Sequence, residues 1–125
     1  MTFPPVLTNT ISRVLFALPL AVFGLLHFMN AQGMSMMVPG FIPGGIFWVY
    51  LTGIALLAAA VAIIVNRRFG RLAALLLGVL LLSFALTIHL PGVMNPDTMA
   101  ASLPNLLKDT ALAGGAFAFA GILKE

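Results

Sequence analysis

The sequence contains no cysteine. Thiol–disulfide exchange, iron–sulfur clusters, thiolate zinc sites and cysteine nucleophiles therefore have no atom to work with. Charge is almost as scarce. Asp, Glu, Lys and Arg make up 7% of the residues, against about 25% in an ordinary soluble domain. A water-facing surface cannot be built from so few, which excludes a soluble enzyme, a disordered tail and a disulfide-stapled secreted module. Acidic residues number only three, so the net charge of +3 and the pI near 10.3 rest on six basic side chains. A nucleic-acid surface would need those six clustered on a solvated face. They form no such face, so no nucleic-acid partner is expected.

Apolar sequence fills the space that charge leaves, with 62% hydrophobic residues and a mean hydropathy of +1.15. At roughly 20 apolar residues per crossing, 125 residues hold about four transmembrane helices and little else. The expected fold is an all-α integral membrane four-helix bundle, one domain over 1–125 with the lipid bilayer as its solvent. The first apolar run covers about 11–30. Arg13 ahead of a hydrophobic stretch has the grammar of a signal peptide, but the run is longer than a usual h-region and no small-x-small site follows. It reads as a helix. The second span, about 46–65, follows the breaker-rich stretch Val38-Pro39-Gly40-Phe41-Ile42-Pro43-Gly44-Gly45, where a helix is disfavoured. Phe47, Trp48 and Tyr50 open that span, as aromatic rings do at a headgroup boundary. The third span, about 72–90, is expected to close at Pro91-Gly92. The fourth, about 104–123, is expected to open at Pro104 with Ser102 as N-cap.

Only Asn66-Arg67-Arg68-Phe69-Gly70-Arg71 separates the second span from the third. So short a link with three arginines predicts an antiparallel hairpin whose tip is cytoplasmic. Counting outward from it, both termini are cytoplasmic, and Arg13 and Lys124 fall on the same side as the hairpin. The fourth span is rich in Ala and Gly from Ala111 to Gly121, which lets helix backbones approach in lipid. Packing inside the bundle accounts for this more simply than a dedicated homo-oligomer face does.

The remaining ionisable groups lie at the other end. At 1.5 Å per residue, His27 stands about 21 Å from Arg13, His89 about 27 Å from Arg71, and Lys108 about 24 Å from Lys124. Three helices thus bring ionisable groups to within roughly 6 Å in height at the outer edge of a ~30 Å core. Asn105, Lys108, Asp109 and Leu112 share a helix face. Neighbours in sequence, Lys108 and Asp109 diverge by about 100° and are expected to seek partners elsewhere, with His27 and His89 the candidates. Gly24, one turn below His27, leaves room for a close helix or a ligand's ring. Asp97, in the loop before the fourth span, is within reach of the same surface. Against this stands a plainer reading, in which lysine snorkels to water and each histidine donates to a carbonyl.

The Gly24-x-x-His27 ending of the first span, the Pro-Gly loop into Trp48, the arginine hairpin and Asn105-Leu-Leu-Lys108-Asp109 before Gly114-Gly115 resemble the DoxX family of small membrane proteins. That resemblance implies a bacterial inner (plasma) membrane, association with membrane oxidoreductase assemblies through a redox partner protein, and His27, Lys108 and Asp109 as pattern residues. His89 is added from geometry.

The expected function is a small redox-associated subunit that binds a quinone or similar amphiphile at an outer-leaflet site of Gly24, His27, His89, Asn105, Lys108 and Asp109. Imidazole exchanges protons near neutral pH, and lysine stabilises developing negative charge. The alternative is a non-enzymatic scaffold that docks an assembly partner protein. A bis-histidine haem on His27 and His89 is disfavoured, because both lie close to the membrane edge and no second pair exists. No metal site is expected. A proton-coupled multidrug exporter lacks its deep carboxylate, and a fluoride channel lacks a polar path across the spans.

Overall fold

The computed structural model describes residues 1–124. Among these residues the chain is helical and contains no strand. A wide, π-type turn, Val6–Ile11, leads into α1, Ser12–Met29. A short α2, Ala31–Ser35, follows, then α3, Ile46–Val65. α4, Gly70–Phe84, runs through a second π-type turn, Ala85–His89, into α5, Leu90–Met94. α6, Met99–Ile122, completes the described chain.

Three of these stretches are long and apolar enough to cross a membrane: Val6–Met29, Ile46–Val65 and Gly70–Met94. α6 is equally long, but Asn105, Lys108 and Asp109 dilute its apolar character, so it does not join them on composition. It is nevertheless part of the packing. α1 lies against α3, α4 against α6, and α3 adjoins α4 across the tight arginine link. Large aliphatic side chains such as Leu15, Val22, Ile54, Leu76 and Val79 face outward. An exterior as apolar as the interior belongs to a protein whose solvent is hydrocarbon.

With lipid outside, burial of aliphatic surface does little to hold helices together, and close packing has to serve. Leu20, Leu56, Ile63 and Leu77 are fully buried, separated by the small Ala17, Ala60, Ala74 and Ala116. α1 and α3 approach closely enough for their backbones to meet. A Cβ on Gly53 would stand 2.8 Å from Cβ of His27 and 3.2 Å from the Gly24 carbonyl oxygen, and one on Gly24 would meet the Gly53 carbonyl at 3.0 Å. On α6 the small residues serve two purposes. Ala113 and Ala116 are buried and Gly115 fits under Phe16, whereas Gly114 and Gly121 have open space beside them.

The arginine end of the bundle is closed by side chains on helix termini. Arg13 donates to the carbonyl oxygens of Ile63 and Ile64 in the last turn of α3, and through Nε to Asn9 Oδ1 at 2.8 Å. Arg71 Nε donates to the Ala120 carbonyl near the end of α6 at 2.9 Å. Asn66 ends α3 in the left-handed conformation (φ 52°), and its side-chain oxygen accepts from the Lys124 amide at 3.0 Å. The last carbonyls of a helix have no intrahelical donor, and cations there also suit the helix dipole.

Two boundaries differ from the sequence expectation. The third span does not close at Pro91-Gly92; it continues through both residues to Met94. In a regular α-helix the Pro91 ring would press on the Thr87 carbonyl. The π-type turn just before it, with the Leu90 amide bonded to the Ala85 carbonyl, opens the helix there and admits the proline. α6 begins at Met99 after Thr98, not at Pro104 after Ser102. The Met99-Ala100-Ala101-Ser102-Leu103 segment is a good helix former, and Pro104 removes one hydrogen bond without breaking so early a turn. Ser102 instead packs against Gly92, where a Cβ would stand 2.2 Å from its hydroxyl oxygen.

Gly53→Ala should lower stability by about 1–3 kcal/mol, because backbone and a Cβ must move to make room. Gly114→Ala, beside open space, should be neutral or add about 0.5–1 kcal/mol. Unfolding of the detergent-solubilised protein checks both.

Candidate functional site

At the end opposite the arginines, α1, α3, the π-type turn after α4 and α6 surround a cavity of about 340 Å³. Leu20, Leu56 and Leu81 are among its apolar walls, with Phe23 and Phe84 as aromatic ones. Its polar lining comes chiefly from His27, His89, Asn105, Lys108 and Asp109.

The centre of that polar wall is a buried pair. His89 Nε2 lies 3.0 Å from Asp109 Oδ2, and their side chains are 10% and 7% exposed. The wide turn brings His89 there. Leu81, Ala85 and His89 are all buried toward the bundle interior, four residues apart, and an α-turn would rotate such a series progressively off the face. Widening the final turn returns His89 to the line of the other two. Asp109 sits on the same face of α6 as the buried Ala113 and Ala116.

Lys108 is arranged differently from the sequence expectation. Its ammonium lies 3.6 Å from Asp109 Oδ1, so the adjacent residues do approach each other. The expected divergence holds for their Cβ directions, but the four-carbon stem of lysine is long enough to bend back across it. The ammonium also stands 4.6 Å from the centroid of the Phe23 ring and 3.4 Å from Asn105 Oδ1. Asp109 thus offers one carboxylate oxygen to an imidazole and the other to an ammonium. Lys108 remains 42% exposed at the side chain, at the edge of the site.

His27 enters from α1. Its Nδ1 lies 2.6 Å from the Phe23 carbonyl oxygen, which can only accept, so Nδ1 carries a proton and Nε2 is the ring nitrogen available to a ligand. The ring stacks loosely on Phe84, with centroids 6.5 Å apart. His27 therefore shares the cavity with the His89–Asp109 pair without being bonded into it. Asn105 donates to the Ala101 carbonyl at 3.2 Å and accepts from Lys108.

Two expected participants stand elsewhere. Gly24 does not line the cavity; the room it leaves is filled by α3, through Gly53 and Leu57. Asp97 is exposed in the turn before α6, its amide held by Asn95 Oδ1 at 3.0 Å, and it does not line the cavity either. Conversely, the segment between α1 and α3 contributes Met34, Met37 and Val38, with Trp48 from the first turn of α3. Trp48 is anchored by donating from Nε1 to the Pro43 carbonyl at 2.6 Å. The run Met34-Ser35-Met36-Met37 was the only available sign of this cover, since methionine suits an adaptable apolar wall.

Among the described residues, no buried side-chain nitrogen or oxygen lacks a hydrogen-bond partner, and no three His, Cys, Asp or Glu residues converge as a metal site would require.

Comparison with known proteins returns one family model, a domain of unknown function, DUF8561, which matches residues 16–92. That range is more than half the chain. No curated protein and no solved structure matches. The match corrects the DoxX resemblance, and the redox assemblies and pattern residues which that resemblance implied go with it. Short apolar spans joined by Gly, Pro and Arg links are common to many small membrane proteins, so such a pattern identifies a solvent better than a family. The matched range holds both histidines and the methionine cover; Asn105, Lys108 and Asp109 lie beyond it.

Asp109→Leu alone should cost about 1–3 kcal/mol by leaving His89 buried without its acceptor. Adding His89→Phe should recover much of that loss, since an apolar pair can replace a buried polar one. A double-mutant cycle on detergent unfolding curves measures the coupling.

Proposed function

The chain belongs to the DUF8561 family, whose function is unknown, and we propose that this protein crosses the plasma (inner) membrane four times and binds an amphiphile, with a quinone as the best-suited class, in the cavity at its histidine end. The observation that carries this reading is a buried imidazole–carboxylate pair beside an ammonium, on one wall of an otherwise apolar cavity. Ionisable groups in a membrane helix are costly and tend to mark ligand or proton paths. A cavity of apolar walls with a few convergent polar groups is the usual form of a small-molecule site.

Orientation follows from charge. Arg67, Arg68 and Arg71 in the link, with Arg13 and Lys124, support a cytoplasmic arginine end with both termini on that side. The cavity then lies beneath the outer headgroups, where an amphiphile's polar ring resides. α6 serves as the fourth crossing. Its packing along α4 supports this, and its polar residues fall in the outer part of the span, where they cost less than at mid-bilayer.

A quinone ring offers two carbonyl acceptors on a flat apolar body. Lys108 supplies a charged donor and the His89–Asp109 pair an exchangeable proton, while Leu20, Phe23 and Leu56 give surface for the ring and the start of its tail. Nε2 of His27, an acceptor while Nδ1 holds the proton, suits a hydroxyl of the reduced quinol rather than a quinone carbonyl.

Decyl-ubiquinone should raise the thermal midpoint of the purified protein in a concentration-dependent manner, as any ligand selective for the folded state does. Lys108→Met should weaken that binding by about tenfold, the worth of one charge-assisted hydrogen bond, while Thr110→Val should leave it unchanged. A native-extracted protein that carries no quinone and shows no stabilisation by it would overturn the proposal.

A further inference from the structure

The arginine end carries a second site, formed on the outside of the bundle rather than within it. The four arginines of this end divide into two kinds. Arg13 and Arg71 are engaged by backbone carbonyls at the ends of α3 and α6. Arg67 and Arg68 have no ion pair or hydrogen bond among the described residues, and both are exposed. Asp97 and Asp109, the acids within the described range, lie at the far end of the molecule and cannot reach them.

These two guanidinium groups stand at the head of a groove. Its floor is the outward face of α3, with Ile54, Val61 and Val65 exposed along it, and Phe69 closes it beside the arginines. The groove is distinct from the cavity at the histidine end and shares no residue with it. Arg68 is held over the Phe69 ring at 5.5 Å from its centroid, which limits the freedom of a side chain that would otherwise sweep through solvent.

We propose that this groove binds an anionic phospholipid of the cytoplasmic leaflet. Its phosphate is held by Arg67 and Arg68, and one acyl chain runs along Val65, Val61 and Ile54. Charge complementarity argues for this occupant. Two unpaired guanidinium groups suit the planar, paired acceptors of a phosphate, and the strip below them is apolar for about 16 Å, at 1.5 Å per residue from Ile54 to Val65. A zwitterionic lipid brings a choline cation to the same place and loses the advantage. A second copy of the chain would bring its own cationic link against this one.

The test uses the full chain in nanodiscs of phosphatidylcholine carrying a minor fraction of phosphatidylglycerol with the same acyl chains. Lipid retained after gentle detergent extraction is read by native mass spectrometry. Phosphatidylglycerol should be enriched on the protein by about thirtyfold over phosphatidylcholine, at about fivefold per arginine near an anionic surface, and high salt should reduce the enrichment. Arg67→Gln with Arg68→Gln should abolish it. Val61→Trp, which fills the groove and leaves both charges in place, should reduce it as well. Equal retention of the two lipids, or enrichment that survives the double glutamine variant, overturns the proposal. So does displacement of the lipid by millimolar inorganic phosphate, because the site would then recognise a free anion and not a lipid.

Discussion

An ionisable or backbone polar group inside an apolar bundle in lipid has no water to turn to, so its partner must come from the protein. The buried carboxylate of Asp109 obeys this constraint most visibly, held between His89 on one oxygen and Lys108 on the other. That contact joins α6 to the end of α4. The same requirement acts at the other end of the molecule, where Arg13 and Arg71 satisfy the last carbonyls of α3 and α6. Polar contacts therefore close the bundle at both ends, and alanine and glycine let the helices approach between them.

This division has a functional corollary. Close packing by small residues leaves little internal space, as the 2.8 Å clearance at Gly53 makes plain. The cavity lies at the end where larger and polar side chains, such as Phe23, Phe84, His27 and His89, line the space between the helices. The π-type turn Ala85–His89 belongs to the same economy of space: it admits Pro91 on one side and turns His89 inward on the other. A single local irregularity thus continues the helix and completes the polar wall.

Much of the architecture was legible in the residues. Runs of apolar sequence separated by Asn66–Arg71 and by the Pro-Gly stretch before Ile46 mark the helices, because their period and length reflect the solvent directly. That His27, His89 and Lys108 lie at similar heights followed from counting 1.5 Å steps away from basic residues at the other end; which of them meet did not. Other features were not legible. Gly24 is as compatible with a ligand's ring as with a neighbouring helix, and only the position of Gly53 decides between them. The short α2 and the methionines after it have no periodic signature, since they pack on a cavity that other elements create. Family membership was not legible either, because apolar spans with small residues recur wherever helices pack in lipid.

The sequence by itself determined the solvent, the helical class and the segregation of arginines to one end and histidines to the other, since composition and spacing along a helix are properties of the chain alone. The tertiary structure decided which polar groups meet, that Lys108 folds back onto Asp109, that Gly24 faces a helix, and that Arg67 and Arg68 stand at the head of a groove without an ion pair among the described residues. Those are relations between faces of different helices. They depend on rotation about each helix axis, which a turn wider by one residue is enough to reset.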